Sequence, residues 1–151
     1  MMFRRRITFR RRRKRRRGSS QTPHYRQHRV VAEKIIRHKV EQWSALLELE
    51  YNRVTIRNQV SRWGSCSRSK NLSFNYKLVF LPEHLLDYVI VHELCHLLEL
   101  NHSPRFWSLV QKVIPRYKDH KRELREFERR IVLDPIFLQQ YRSIIDIKPQ
   151  S

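Results

Sequence analysis

The run His92-Glu93-Leu94-Cys95-His96 constrains this chain more than any other feature, because it sets three polar side chains in an apolar segment. On an α-helix, residues four apart lie about 40° from each other around the axis, so His92 and His96 leave the same face one turn apart. Glu93 is rotated by about 100° from His92 and lies beside that face. Two imidazoles at this spacing can share a metal ion, and the glutamate can take a proton from a water that the metal activates. The motif therefore predicts metal-dependent hydrolysis of an amide bond.

The residues that precede the motif predict a buried helix. Pro82 suits a first helical position, where its missing N–H costs nothing, and Glu83 favours the positive end of the helix. A broad apolar stripe follows, formed by Leu85, Leu86, Val89, Ile90, Leu94 and Leu97. Buried polar groups without partners are costly, so the two histidines and the glutamate need partners, which a metal would supply.

The third metal ligand has two candidates, His102 and Glu99. A catalytic zinc site usually has three protein ligands and one open position. Glu99 lies about 60° from His96 around the helix and could reach the ion. His102 could do so only if the helix stops near Asn101, which tolerates the left-handed conformation that closes a helix. Ser103 and Pro104 then look like the N-cap and first turn of a new helix. We favour His102, with Glu99 either orienting a histidine or solvated at the helix end.

Four segments in this order and spacing resemble the YgjP-like metallopeptidase family, a small zincin group related in its active site to the WLM and SprT-type proteases. They are Arg62–Ser67, Asn71–Asn75, Val91–Leu97 and Asn101–Trp107. The resemblance spans roughly Val54 to Arg130.

This resemblance implies a zinc-dependent, cytoplasmic, single-domain peptidase that acts on a peptide or protein substrate. It implies His92, His96 and His102 as zinc ligands and Glu93 as the catalytic base. Zincins commonly bind substrate as an extra strand on a sheet edge. By resemblance, one of the strands between Arg57 and Phe80 would hold the peptide. We favour the segment from Asn71 to Phe80, because it leads directly into the metal-binding helix.

The coarse pattern predicts an α+β, zincin-like minimal fold. A long N-terminal helix from about His24 to Glu50 is expected, with its histidines solvated. Its expected apolar stripe is Val30, Val31, Ile35, Val40, Trp43, Leu46 and Leu47. Short strands are expected over 53–57, 59–66 and 71–80, forming a small antiparallel sheet. The metal-binding helix and further C-terminal helices follow. We expect a basic arm and linker over 1–22, the catalytic domain over 23–134 and a C-terminal extension over 135–151.

Charge is concentrated at the N-terminus. Residues 1–17 contain ten arginines and Lys14 without an acidic residue, in a chain of 151 residues with a formal net charge of +19. Such a segment cannot form a core. It is either a solvated tail or an electrostatic arm for RNA, DNA or an anionic surface, and a nuclear localisation signal has the same composition. The candidate nucleic-acid contacts are Arg10, Arg11, Arg12, Arg13, Lys14, Arg15, Arg16 and Arg17.

Composition narrows the remaining possibilities. No stretch approaches the 18 or so apolar residues of a membrane span. Cys66 and Cys95 are too few for a disulfide scaffold and agree with a reducing cytosol. A metallopeptidase is the favoured function, and the alternatives are a protease acting on nucleic-acid-bound proteins or a zinc-braced nucleic-acid-binding protein without activity. A second oxyanion donor is expected, with Arg62, Tyr76 and Tyr117 as candidates.

Overall fold

The structure is a computed structural model that describes residues 22–59 and 61–133. Its elements are the helix α1 (Pro23–Leu46), the strands β1 (Arg53–Arg57), β2 (Gly64–Cys66) and β3 (Asn71–Asn75), a 3₁₀ turn (Tyr76–Phe80), and the helices α2 (Glu83–Cys95), α3 (Pro104–Val113) and α4 (Tyr117–Leu133). This is the predicted α+β arrangement. The basic arm, including Arg10–Arg17, and the C-terminal extension lie outside the described residues.

The sheet is mixed, which corrects the antiparallel sheet expected from the sequence. Its order is β1-β3-β2, with β3 parallel to β1 and antiparallel to β2. The short polar connection between β2 and β3 gives the expected antiparallel pair. The strand β1 does not pair with β2, its neighbour in sequence. It pairs with the other side of β3, to which it is parallel.

The position of β3 also corrects the expected substrate strand. A central strand uses its hydrogen-bonding groups on both sides, so β3 cannot accept another strand. Within the described residues the free edges belong to β1 and β2. The residues after Asn75 form a 3₁₀ turn in place of the predicted strand, and Asn75 caps it by accepting a hydrogen bond from the Lys77 N–H at 3.2 Å.

The long N-terminal helix is present, but its buried stripe differs from the prediction. Val30, Val31 and Ile35 are 74%, 57% and 39% exposed. Val40 of the predicted stripe is buried, and Trp43 and Leu47 pack partly buried against the core. The other buried positions are Tyr25, Ala32, Ile36 and Ser44, which the prediction did not include. Apolar residues occur on two faces of α1, and the sequence alone did not distinguish the face that packs.

Two of the three histidines on α1 are also less solvated than expected. His38 is exposed, whereas His24 and His28 are half-buried. The Nδ1 atom of His24 lies 2.9 Å from the Tyr76 hydroxyl, so this ring ties α1 to the 3₁₀ turn.

The helix α2 runs through the centre of the core. Five of the six residues of its predicted apolar stripe are buried, with Leu85, Ile90 and Leu94 at 0% exposure, and Leu97, beyond the helix end, is half-buried. Contacts from α1, β2, α3 and α4 surround it. A helix enclosed in this way holds its polar side chains in fixed positions, which is what a metal centre needs.

Candidate active site

The structure brings His92, His96 and His102 together at the end of α2. One ring nitrogen from each histidine lies within 4.8 Å of those of the other two. The Nε2 atoms of His92 and His102 are 3.0 Å apart. Within the described residues, this is the one cluster of three or more metal-ligating side chains.

The chain turn that delivers His102 begins earlier than predicted. The helix ends at Cys95, with His96 as its C-cap, and hydrogen-bonded turns continue to Leu98 before the chain reaches His102. The next helix begins as the sequence indicated: Ser103 is the N-cap, its hydroxyl accepts a hydrogen bond from the Phe106 N–H at 3.2 Å, and Pro104 follows. This cap holds the residue before it, His102, against the other two rings.

Glu99 contributes through its backbone. Its carbonyl oxygen lies 3.0 Å from His96 Nδ1. A protonated Nδ1 donates to that carbonyl and leaves the lone pair on Nε2, which can then bind a metal. The structure thus gives Glu99 an orienting role, by a main-chain contact that its side-chain chemistry did not reveal.

Aromatic packing fixes the imidazoles further. Phe106, which is fully buried, stacks on His96 with ring centroids 4.4 Å apart. Trp107 stacks on His102 at 5.5 Å. The helix α3 therefore supports two of the three histidines.

Electrostatics favour neutral imidazoles. Burial, together with the neighbouring rings of His96 and His102, lowers the pKa of His92 to about 3. His102 also has a lowered pKa, mainly because of burial. A neutral imidazole has a free lone pair, which is the form that binds metal ions.

Glu93 lies deep in the same site. It is 6% exposed, and its Oε2 atom is buried with no hydrogen-bond partner among the described residues. Burial raises its pKa to about 8, and the positive charge of Arg62 opposes that shift. A buried carboxylate without partners is costly, and a cation beside it would offset that cost. The three imidazoles and this carboxylate therefore fit a divalent metal ion.

Gly64 makes room for Glu93. A Cβ atom built on Gly64 would lie 2.6 Å from Glu93 Cγ and 2.8 Å from its Oε1. The edge strand β2 thus touches the carboxylate directly. Sequence reasoning missed this role, although Gly64 is one of only two glycines in the chain.

A cleft of about 220 Å³ opens onto the site. Residues from three parts of the chain line it: Ser61, Arg62, Trp63 and Gly64 in and before β2, Tyr88, Val89, His92 and Glu93 of α2, and Leu124 of α4. Of the three oxyanion donors that the sequence left open, Arg62 lines this cleft. Tyr76 lies with His24 and Tyr25 instead, and Tyr117 stacks on Trp107.

Trp63 has a structural role. It packs against the core, and its indole N–H donates to Glu128 Oε1 at 2.6 Å. Arg62 is exposed and forms no ion pair within the described part of the chain.

Comparisons with known proteins agree with this geometry. The family model described as YgjP-like, metallopeptidase domain, matches residues 4–127. That match begins well before Val54, inside the arginine-rich segment. The comparison with curated proteins finds no match.

Two solved structures are similar in fold. One is the metallopeptidase zymogen abylysin of Pyrococcus abyssi, with 25% identity, a TM-score of 0.54, and coverage of 59% of this chain and 90% of that one. The other is the metallopeptidase zymogen jannalysin of Methanocaldococcus jannaschii, with 25% identity, a TM-score of 0.53, and coverage of 62% of this chain and 95% of that one. Among the described residues, no helix is long and apolar enough to cross a membrane.

Proposed function

The chain belongs to the YgjP-like metallopeptidase family and is a hydrolase of peptide bonds, and from this premise we propose that it is a zinc peptidase with Glu93 as its general base. The observation that carries the proposal is the convergence of three ring nitrogens within 4.8 Å beside the buried Glu93 carboxylate. Three neutral nitrogen donors suit zinc, and other divalent ions accept the same ligands.

His92, His96 and His102 would hold the ion. When bound, zinc supplies an acidified water and an electrophile that polarises the scissile carbonyl. Each imidazole binds through a lone pair, and the carbonyl of Glu99 holds the His96 ring in the required tautomer.

Glu93 moves the proton. Its carboxylate takes a proton from the attacking water and then passes it to the leaving amine. Arg62 lines the same cleft and carries a positive charge, and we assign it the second stabilising contact with the developing oxyanion. Gly64 keeps β2 close enough to confine the Glu93 side chain.

The substrate strand is assigned to the free edge of β2. This edge strand contacts Glu93 through Gly64 and borders the cleft. A peptide added there as a further strand would run past the metal centre, with main-chain hydrogen bonds holding it in register.

Metal analysis combined with peptidase profiling tests the proposal. Zinc content should be equal in the parent protein and in Glu93→Gln, while cleavage is lost in the variant. Arg62→Gln should keep zinc and lower kcat by about 100-fold, the usual cost of removing an oxyanion donor. Equal cleavage by the parent and Glu93→Gln would eliminate the assigned base. The nucleic-acid role of Arg10–Arg17 and the cytoplasmic location stay predictions.

A further inference from the structure

A second concavity, which we call the basic groove, lies along α4 and has a volume of about 510 Å³. One acidic residue, Glu126, lines it, together with two aromatic residues, Trp107 and Tyr117. Its remaining lining residues are cationic: Lys118, Lys121, Arg122, Arg125 and Arg129. Their spacing of three or four residues sets them along one side of the helix.

Most of these cations are not neutralised by the rest of α4. Asp119 pairs with Arg116 and Arg122. Glu123 contacts His84 at 2.8 Å, and Glu128 accepts from Trp63. Within the described ranges Lys118, Lys121, Arg125 and Arg129 take part in no ion pair, so the groove presents a net positive surface.

The basic groove is next to the metal centre, because the two share a contact at Trp107. Trp107 lines it and also stacks on His102. Lys121 Nζ lies 4.2 Å from the centre of the Trp107 ring. An extended chain bound at the metal would therefore meet this row of cations within a few residues.

We propose that the basic groove binds an acidic segment of the peptide substrate on one side of the scissile bond. This preference for acidic substrates rests on the proposed peptidase function and adds a substrate class to it. Carboxylates on a flexible chain can contact cations spaced along a helix without a fixed geometry. The groove is open to solvent, so the selectivity should weaken with salt.

The same surface is less suited to nucleic acid. Single-stranded nucleic acids bind by stacking their bases on available aromatic rings as well as by charge. Here Tyr117 is 8% exposed and stacks on Trp107 at 5.2 Å, while His102 and Lys121 cover Trp107 further. The rings are thus packed against protein groups, and charge is the main feature that the groove presents.

Quenched-fluorescence peptides of one length test the proposal on the full chain loaded with zinc. Each peptide carries either three glutamates or three glutamines, placed on one side of a common cleavage site. Both sides are tested, so there are two glutamate peptides, each with a matched glutamine peptide. The parent should cleave one glutamate peptide with a kcat/KM about tenfold above its glutamine partner, since several exposed ion pairs each contribute a few-fold at most.

A charge-reversed double variant and a matched control isolate the groove. Lys118→Glu with Arg125→Glu should bring that ratio to about one or lower and leave cleavage of the glutamine peptides unchanged. Lys34→Glu with Arg26→Glu makes the same charge change at exposed positions of α1 that do not line the groove. This control should keep the parent's ratio. An equal fall of the glutamate-to-glutamine ratio in both double variants would overturn the proposal, because it would show an effect of net charge alone.

Equilibrium binding separates this inference from the peptidase function. Fluorescence anisotropy of the labelled glutamate peptide should show weaker binding to the α4 double variant than to the α1 double variant, whether or not any peptide is cleaved. Absence of cleavage together with this difference would reject the peptidase and keep the groove. Equal affinities would reject the groove. A larger loss of affinity for a single-stranded oligonucleotide than for the glutamate peptide would also reject it, and would assign the surface to nucleic acid.

Discussion

Gly64 of β2 and Glu93 of α2 are in such close contact that a methyl group on Gly64 would overlap the glutamate: its carbon would lie 2.6 Å from Cγ and 2.9 Å from Cδ. The sheet edge therefore sets the position of the carboxylate. The backbone of Gly64 does not need left-handed dihedral angles, since no glycine in the described residues has a positive φ. Its small size is what matters.

Gly64→Ala should displace the Glu93 carboxylate and lower kcat by about 100-fold, because a misplacement of roughly 1 Å at a reacting group has costs of that order. Zinc content should be unchanged, since the three atoms nearest to the added methyl group all belong to Glu93 and none to a histidine. Steady-state kinetics and metal analysis measure the two effects. Ser65→Ala, one residue along the same strand, is the control and should keep the parent's kcat. A Gly64→Ala enzyme of full activity would show that Glu93 does not need this position.

The parts of the site that sequence predicted best are local. His92 and Glu93 lie in α2 and His96 is its C-cap in helical conformation, so the spacing along one helical turn fixes their relation. Ser103 and Pro104 marked the start of α3 through capping preferences that act over one turn. The bend that brings in His102 could therefore be expected from a few adjacent residues.

The parts that sequence missed depend on distant segments. The parallel pairing of β1 with β3 arises because β2 takes the other side of β3. The packed face of α1 is selected by the surface it meets, and Ile36 was buried in place of Val31. Gly64 and the carbonyl of Glu99 matter through tertiary contacts, with nothing in their local sequence to indicate a partner.

The Glu99 side chain should be dispensable, because its carbonyl oxygen makes the contact with His96. Glu99→Gln should retain zinc affinity and kcat within about twofold, as is usual for changes away from a site's key contacts. His102→Gln should lose at least about tenfold in zinc affinity. Competition with a chelator of known affinity measures both. A large loss of zinc affinity in Glu99→Gln would restore the Glu99 carboxylate as a candidate zinc ligand.

Metal-free protein should be stabilised by Glu93→Gln, and the gain should grow with pH. Burial raises the pKa of Glu93 from 4.5 to about 8 in the fold. Between these values the unfolded chain has lost the proton that the folded chain keeps, so stability falls as pH rises through this window. Glutamine does not ionise and avoids that loss.

Thermal unfolding in excess chelator, from pH 4 to pH 9, checks this expectation. The difference in Tm between the variant and the parent should be small near pH 4 and should level off above about pH 8. The low-pH end of the series is its internal control. A difference that is constant across the range would contradict the raised pKa of Glu93.

Asp87 should stabilise the fold by joining α1 to α2. It accepts a hydrogen bond from the Trp43 indole N–H at 2.9 Å and pairs with Lys39 at 3.1 Å. The Lys39 and Asp87 side chains are only 18% and 20% exposed, so water screens the pair weakly. Burial tends to lower the pKa of Lys39, but hydrogen bonds to Glu83 and Asp87 outweigh it and leave that pKa raised.

Asp87→Ala should therefore lower the free energy of unfolding by about 2 kcal/mol, in the range for lost hydrogen bonds to a charged group. Glu33→Ala is the matched control: it removes an exposed pair with Arg37 and should cost about 0.5 kcal/mol or less. Urea unfolding of the zinc-loaded proteins measures both. Equal losses in the two variants would mean that Asp87 contributes no more than a surface charge.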